Sequence, residues 1–466
     1  MTLKRIPYDK PVLFFGNIRD LFLQKVTLHE FMKSYYMRYN NSNHSICGLY
    51  VGRLPVYQVM DFNLTKDICN RDFDHFMDRV PLGMQSTDIL ADLLLLSPGP
   101  IWKPTRAMVS PAFSSGKLKA MDVVIQSCGE KMSQHLLKRE NPDKEIEMKQ
   151  LFGIFTLDVL TNCIFGIDSN PWKELNSELI AAFYDCENYS ILTHLKMNAA
   201  YWFFPENLRR FLKVSVLADD SVYFAANIIR NAREYRLTNN QRRNDFLQLL
   251  IDNAAKEEVK KPENRLMDEK HILSQSILFI LAGFKTTATL LKFVSYELAV
   301  NPEIQNTLRA EIKSVLEKHN NVLNYDTIQE MPYLEMVLLE TLRKHPPIPR
   351  FDRCCIKDYK VRGIDLVIEK GTMVYFSIIG FHHDPRYFPN PEKFNPLRFQ
   401  ENRNPHGFFV FGSGPRNCIG QKFALIVAKY AMVYILKDFG FFSTNKTQVP
   451  VLGKNGNLDI LIHPKM

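Results

Sequence analysis

Residues 411–420 read Phe411-Gly412-Ser413-Gly414-Pro415-Arg416-Asn417-Cys418-Ile419-Gly420 and lead straight into an apolar-periodic stretch from Gln421 to Leu436. The periodicity predicts a helix. Cys418 then lies at a helix N-terminus, where backbone N–H groups and the positive end of the dipole favour a thiolate. Gly412, Gly414 and Gly420 carry no side chains, which leaves room for a flat, bulky group against the backbone. Arg416, two residues before the cysteine, is placed to meet an anionic substituent of that group. Thiolate, close backbone approach and cation together describe a seat for haem, with Cys418 as its axial metal ligand. Two plainer readings compete. A lone cysteine is commonly a small buried hydrophobe. A glycine-rich loop before a helix can also cradle phosphate, but neither GxGxxG nor GxxxxGK occurs in the chain.

The spacing Phe-x-x-Gly-x-Arg-x-Cys-x-Gly fixes Phe411, Gly414, Arg416, Cys418 and Gly420 together, so chance matches are rare. Here the chain resembles the cytochrome P-450 family of thiolate-haem monooxygenases. The resemblance implies a mainly α fold with a small β portion, one large domain over residues 1–466, and haem b as cofactor.

Composition agrees with a large folded unit. A length of 466 residues would suggest about three domains, yet no linker, repeat or charge block marks a place to cut. Cys47, Cys69, Cys128, Cys163, Cys186, Cys354, Cys355 and Cys418 form no CxxC pair, which argues against a disulfide scaffold, an iron–sulfur cluster or structural zinc. The net charge of +9 is spread along the chain without a basic stripe, so nucleic acid is not the expected partner. A diffuse positive field suits an acidic protein or an anionic membrane surface. The most apolar long run, Ile272 to Leu291, contains Gln275 and Lys285 and reads as a buried helix rather than a membrane span. The chain opens Met-Thr-Leu-Lys-Arg-Ile-Pro-Tyr, like the hinge that follows the N-terminal anchor of microsomal family members, so the anchor itself is expected to be absent from this chain.

Helix signals dominate the chain. Thr27-Leu28-His29-Glu30 starts a helix to about Tyr39 through a capping box. Ser45–Val51 and Val56–Met60 alternate as a hairpin around Gly52 and Pro55. Helical periodicity then holds from about Lys117 to Lys344, with Asn301-Pro302 ending one helix and starting the next. Turns at Gly363 and Gly371 frame a small sheet between Tyr359 and Ile378, and Val449 to Ile462 reads as a terminal hairpin.

Four further constellations bear on chemistry. Glu340 and Arg343 share one helix face. The resemblance implies that they join Arg398 in a buried structural network behind the cysteine loop; the family has glutamate where Leu397 stands. Trp102 and Arg106, one turn apart, offer an indole N–H and a guanidinium to a carboxylate. Family likeness makes them haem-propionate contacts, with Arg353 and Arg416 beside them, and Pro104 between them is tolerable if the helix starts near Ile101. Ala282-Gly283-Phe284-Lys285-Thr286-Thr287 lies within a helix from about Asp268 to Val300. Thr286 can return its hydroxyl to the Ala282 carbonyl, and Gly283 leaves room for a small ligand. In the family this is the oxygen-activation groove, with Thr286 delivering protons; Lys285 stands where an acid is usual. Lastly, His382-His383-Asp384 lacks further ligands at useful spacing for a metal site.

The resemblance is strongest to the microsomal branch that includes insect detoxification enzymes, through Leu281-Ala282-Gly283-Phe284 and Lys357-Asp358-Tyr359. It implies insertion of one oxygen atom from O2 into a lipophilic small molecule. No flavin or nicotinamide motif is present, so electrons are expected from an NADPH–cytochrome reductase docking near Lys103, Lys117, Lys119 and Lys422. The expected location is the cytoplasmic face of the endoplasmic reticulum membrane, with peripheral contact through Tyr201–Pro205. Pocket candidates are Val80–Leu96, Tyr201–Pro205, Phe279, Ala282 and Ile348–Phe351. A thiolate-haem isomerase or dehydratase needing no reductase, and a non-catalytic haem or ligand-binding protein, are the alternatives.

Overall fold

Thr27 opens the first long helix, α1 (Leu28–Tyr39): its hydroxyl accepts from Glu30 N at 3.2 Å while the Glu30 carboxylate takes the Thr27 N–H at 2.7 Å. This is the capping box that the sequence predicts. The structure, a computed structural model, describes residues 6–40, 44–79, 88–141, 145–168, 171–172, 219–259, 266–444, 447 and 459–464. Tyr201–Pro205 and residues 80–87 of the pocket-loop expectation lie outside the described residues.

Strands β1 (Ile46–Val51) and β2 (Leu54–Val59) form the expected hairpin, with Gly52 at φ +57°. Next come helices α2 (Gly99–Val109), α3 (Asp122–Leu137), strand β3 (Ile146–Glu147) and α4 (Met148–Leu160). After them follow α5 (Asp219–Thr238), α6 (Phe246–Glu257), α7 (Glu269–Val300), α8 (Pro302–Lys318) and α9 (Pro332–Lys344). Strands β4 (Arg350–Cys354), β5 (Tyr359–Lys360), β6 (Val367–Ile368) and β7 (Met373–Ser377) follow in turn. Helix α10 spans Gln421–Leu436, the bounds that its periodicity predicts, and β8 (Phe439–Phe442) and β9 (Asp459–Pro464) close the chain.

Two cores result. One is helical: α7 packs on α4, α9 and α10 and is buried along most of its length. Its 32 residues make a rod of about 48 Å. By length and composition α7 could cross a membrane, yet it runs through the centre of the helical core. Asp268 caps it by accepting His271 N at 2.9 Å, and Asn301-Pro302 turns the chain into α8. The second core surrounds the sheet β1-β2-β7-β4, in which β2 and β7 run parallel with Val56 opposite Met373, and the other pairs are antiparallel.

Strand β9 pairs with β8 and β3, and residues 449–458 of the expected terminal hairpin lie outside the described residues. One local expectation needs correction. Helix α2 starts at Gly99, two residues before Ile101, so Pro104 falls past the first turn and the Pro100 carbonyl has no amide donor there.

Candidate active site

Loop 408–420 joins the two cores. Gly412 (φ +74°) and Gly414 (φ +77°) hold left-handed conformations that glycine tolerates. A Cβ on Gly414 would collide with the Cys69 carbonyl oxygen, presented by the π turn Asp67–Arg71. Asn70 of that turn donates to Ser413 Oγ at 3.1 Å. Gly414 therefore admits protein backbone rather than a flat ligand. A Cβ on Gly420, by contrast, would meet no atom within 4 Å. The loop closes on itself through Gly412 N to Phe409 O at 2.7 Å and Cys418 N to Phe411 O at 2.8 Å.

Cys418 is the one exposed cysteine among the described residues, yet protein surrounds it closely enough for burial to push its thiol pKa up. The Gly420 N–H and the guanidinium groups of Arg106 and Arg79 oppose that rise without reversing it. Cys418 stands two residues before Gly420, the N-cap of α10. A coordinated metal ion deprotonates a thiol outright, so ligation needs no prior thiolate.

Cations gather on one side of this cysteine. Arg353 is fully buried and donates to Asp352 O at 2.8 Å and Ser413 O at 3.1 Å. Arg416 donates to Ser97 O at 2.6 Å, and its guanidinium lies 4.5 Å from the centre of the Trp102 ring. The Nε atoms of both arginines are buried without an acceptor. Arg106 donates to Asn417 Oδ1 at 3.2 Å. Arg79, which the sequence reading missed, donates to Arg416 O at 3.2 Å. A single arginine outside any periodic or spaced pattern gives no signal in sequence. Burial and mutual repulsion lower Arg79 to about 10 and Arg416 to about 9. Unpaired guanidinium N–H groups beside an accessible thiol suit a flat dicarboxylate with a thiophilic metal, which is the donor set haem requires.

Behind the loop, Arg343 Nε and Nη2 reach the two carboxylate oxygens of Glu340 at 2.7 and 2.9 Å, both residues fully buried. Arg398 Nε approaches Glu340 Oε1 at 3.3 Å, and Asn395 N donates to the same oxygen at 2.9 Å. The three residues singled out thus come together, while Leu397 points to solvent, so its departure from the family pattern disturbs nothing.

The remaining candidates stand in the middle of α7. Ala282 is exposed there, with Thr286 half-buried one turn on, in a helix otherwise largely enclosed. Thr286 Oγ1 donates to Ala282 O at 2.6 Å, as the sequence predicts. A Cβ on Gly283 would stand 2.9 Å from Leu160 Cδ2, so this glycine also admits α4. Lys285 is half-buried and has an interaction of its own. Phe279 packs between Phe113 and Phe246, and Phe351 stacks on Phe376, which places both in cores rather than on an open wall. The His382-His383-Asp384 donors are engaged elsewhere: Asp384 with Tyr36 and Arg386, the histidines with backbone.

A family model for cytochrome P450 matches residues 6–466. The chain belongs to that family. It is 33% identical to cytochrome P450 6k1 of Blattella germanica, over 96% of this chain and 88% of that protein. Identity to probable cytochrome P450 6a13 of Drosophila melanogaster is 35%, over 95% and 88%. Cytochrome P450 3A2 of Rattus norvegicus is 33% identical, over 96% and 87%. As a cytochrome P450 it is an oxidoreductase of the monooxygenase class, with haem b on a cysteine thiolate.

Proposed function

We propose that this cytochrome P450 inserts one oxygen atom of O2 into a lipophilic small molecule, with electrons from an NADPH-dependent flavoprotein reductase. Haem b supplies the oxygen-splitting chemistry when bound. Cys418 would supply its thiolate ligand, a role supported by the exposure of this cysteine and the loop around it. Arg353, Arg416 and Arg79 hold the carboxylates from the buried side, with Trp102 and Arg106 completing the rim; the orphaned Nε atoms support this. Phe411 and Gly412 fix the loop, and Gly420 keeps the approach open.

The observation that carries the monooxygenase reading is Thr286. Its proton is committed to Ala282 O, so its oxygen is free to accept from a donor in the groove. An isomerase or a ligand carrier has no use for that acceptor. Exposed Lys103 and Lys422 suit an acidic reductase face, whereas Lys119 is paired with Asp326. Leu13 and Phe14, 78% and 60% exposed at the tip of a turn, offer apolar surface for the endoplasmic reticulum membrane on its cytoplasmic face.

Reconstitution with reductase and a panel of lipids and xenobiotics tests the reading. Substrate-dependent NADPH consumption with an oxygenated product is expected; turnover without reductase would favour the isomerase or dehydratase. For the ligand, Cys418→Ser is expected to abolish the red-shifted carbonyl band of the reduced protein, and persistence of that band removes the assignment.

A further inference from the structure

We propose that His382 is a positioning residue for the cysteine ligand: its imidazole ties the loop that carries Cys418 to the helix that carries Glu340 and Arg343. The inference rests on the reading of Cys418 as the haem ligand.

His382 is fully buried at the end of a short helical turn, Ile378–His382, that follows β7. Its Nε2 lies 3.1 Å from Phe409 N, and its Nδ1 lies 3.0 Å from Arg343 O. An amide nitrogen only donates, so Nε2 is the bare acceptor and the ring proton is on Nδ1, donating to Arg343 O. One tautomer satisfies both contacts, and an imidazolium satisfies only one. Burial and the neighbouring Arg343 cation keep the ring neutral.

The tie is reciprocal. Arg343 Nη1 donates to His382 O at 2.9 Å while the His382 ring holds Arg343 O. Each side chain grips the other's backbone. From Phe409 the path continues into the loop: Phe409 O accepts from Gly412 N at 2.7 Å, and Phe411 O accepts from Cys418 N at 2.8 Å. Fixing the Phe409 amide thus fixes the turn whose next carbonyls set the Cys418 backbone. The ring also stacks on Phe408 at 5.0 Å, which holds its plane. The buried ion pair at Glu340 also holds the 390–398 segment, through Pro391 O, Asn395 N and Asn390 O.

Haem-loaded wild type, His382→Gln, His382→Asn and His382→Leu are compared. The readouts are the thiolate-ligated fraction from the reduced carbonyl spectrum, its rate of loss in mild denaturant, and helix content. Glutamine places its side-chain carbonyl near Nε2 and can still accept from Phe409. Asparagine reaches only the Nδ1 position. We expect His382→Gln to keep thiolate ligation within about twofold of wild type. His382→Asn and His382→Leu should lose it about tenfold faster at unchanged helix content, as an amide left unpaired in the interior dictates. Equal persistence in His382→Asn and wild type, or equal loss in His382→Gln and His382→Asn, overturns the proposal. Should His382→Leu fail to fold, the Gln and Asn pair decides alone. A wild type lacking the red-shifted band, or a Cys418→Ser protein retaining it, would instead remove the ligand assignment.

Discussion

Thr286 Oγ1 donates to the Ala282 carbonyl oxygen at 2.6 Å, one turn back in the middle of α7, where Ala282 is exposed inside an otherwise enclosed helix. That bond takes the hydroxyl proton and aims the lone pairs outward. Thr286→Val, nearly isosteric, removes the acceptor. Product per NADPH is expected to fall, with peroxide rising in its place, toward the low end of the ~10²–10⁴-fold range of a positioned proton-transfer group. Unchanged coupling, from product and peroxide measured against NADPH, would assign Thr286 to packing alone.

Lys285 gives a complementary expectation. An ammonium carries three donors and no acceptor, which makes it a poor two-way relay beside a carboxylate. Lys285→Glu should raise product per NADPH. Since Lys285 already has an interaction of its own, the melting temperature is measured alongside. Equal coupling in both proteins at equal stability removes lysine from the relay.

Glu340 and Arg343 are both without accessible surface. Glu340→Gln leaves the Arg343 charge buried with weaker acceptors, and Glu340→Ala leaves it unpaired, at a cost of about 3–5 kcal/mol. Arg343→Lys should be nearly as damaging, because one ammonium cannot reach Glu340, His382 O and Pro391 O together. Denaturant midpoints and haem content check both; a loss below ~1 kcal/mol would show that the network relaxes.

Acid should weaken the fold in a defined window. Burial lowers the pKa of His345, His382 and His383 in the folded state, His383 to about 2, against 6.5 when exposed. Above pH 6.5 all three are neutral whether folded or not, and they add no pH dependence. Below it the unfolded chain takes up protons that the folded chain refuses, so stability falls as pH drops, by up to about 1.4 kcal/mol per unit for each histidine. The lowered Glu297 pKa adds a loss only below about 4.5. His29 and His135, also lowered by burial, add to the same slope, so His383→Asn should flatten it between pH 6.5 and 5.5 without abolishing it, as read by denaturant titration at each pH.

Much of this was legible in the chain. Period and caps located α1, α7 and α10 because local signals and tertiary packing agree there: Thr27 with Glu30, Asp268 with His271, Gly420 before an apolar-periodic run. The Cys418 loop was readable from its spacing, and the network of Glu340, Arg343 and Arg398 only through the family resemblance. Long-range relations were not. That Gly414 rests on Cys69, that Gly283 admits Leu160, and that β9 seeks β8 depend on chain segments far apart in sequence. Arg79 and the two-sided grip of His382 carry no periodicity at all.

The convergence of Arg79, Arg353 and Arg416 has a consequence for how the molecule matures. Bringing three guanidinium groups into one buried corner works against folding, as the depressed proton affinities of Arg79 and Arg416 register. A bound dicarboxylate discharges that opposition. A chain without its cofactor would keep three like charges facing one another in that corner, so loading should stabilise the loop region more than its few contacts alone would suggest.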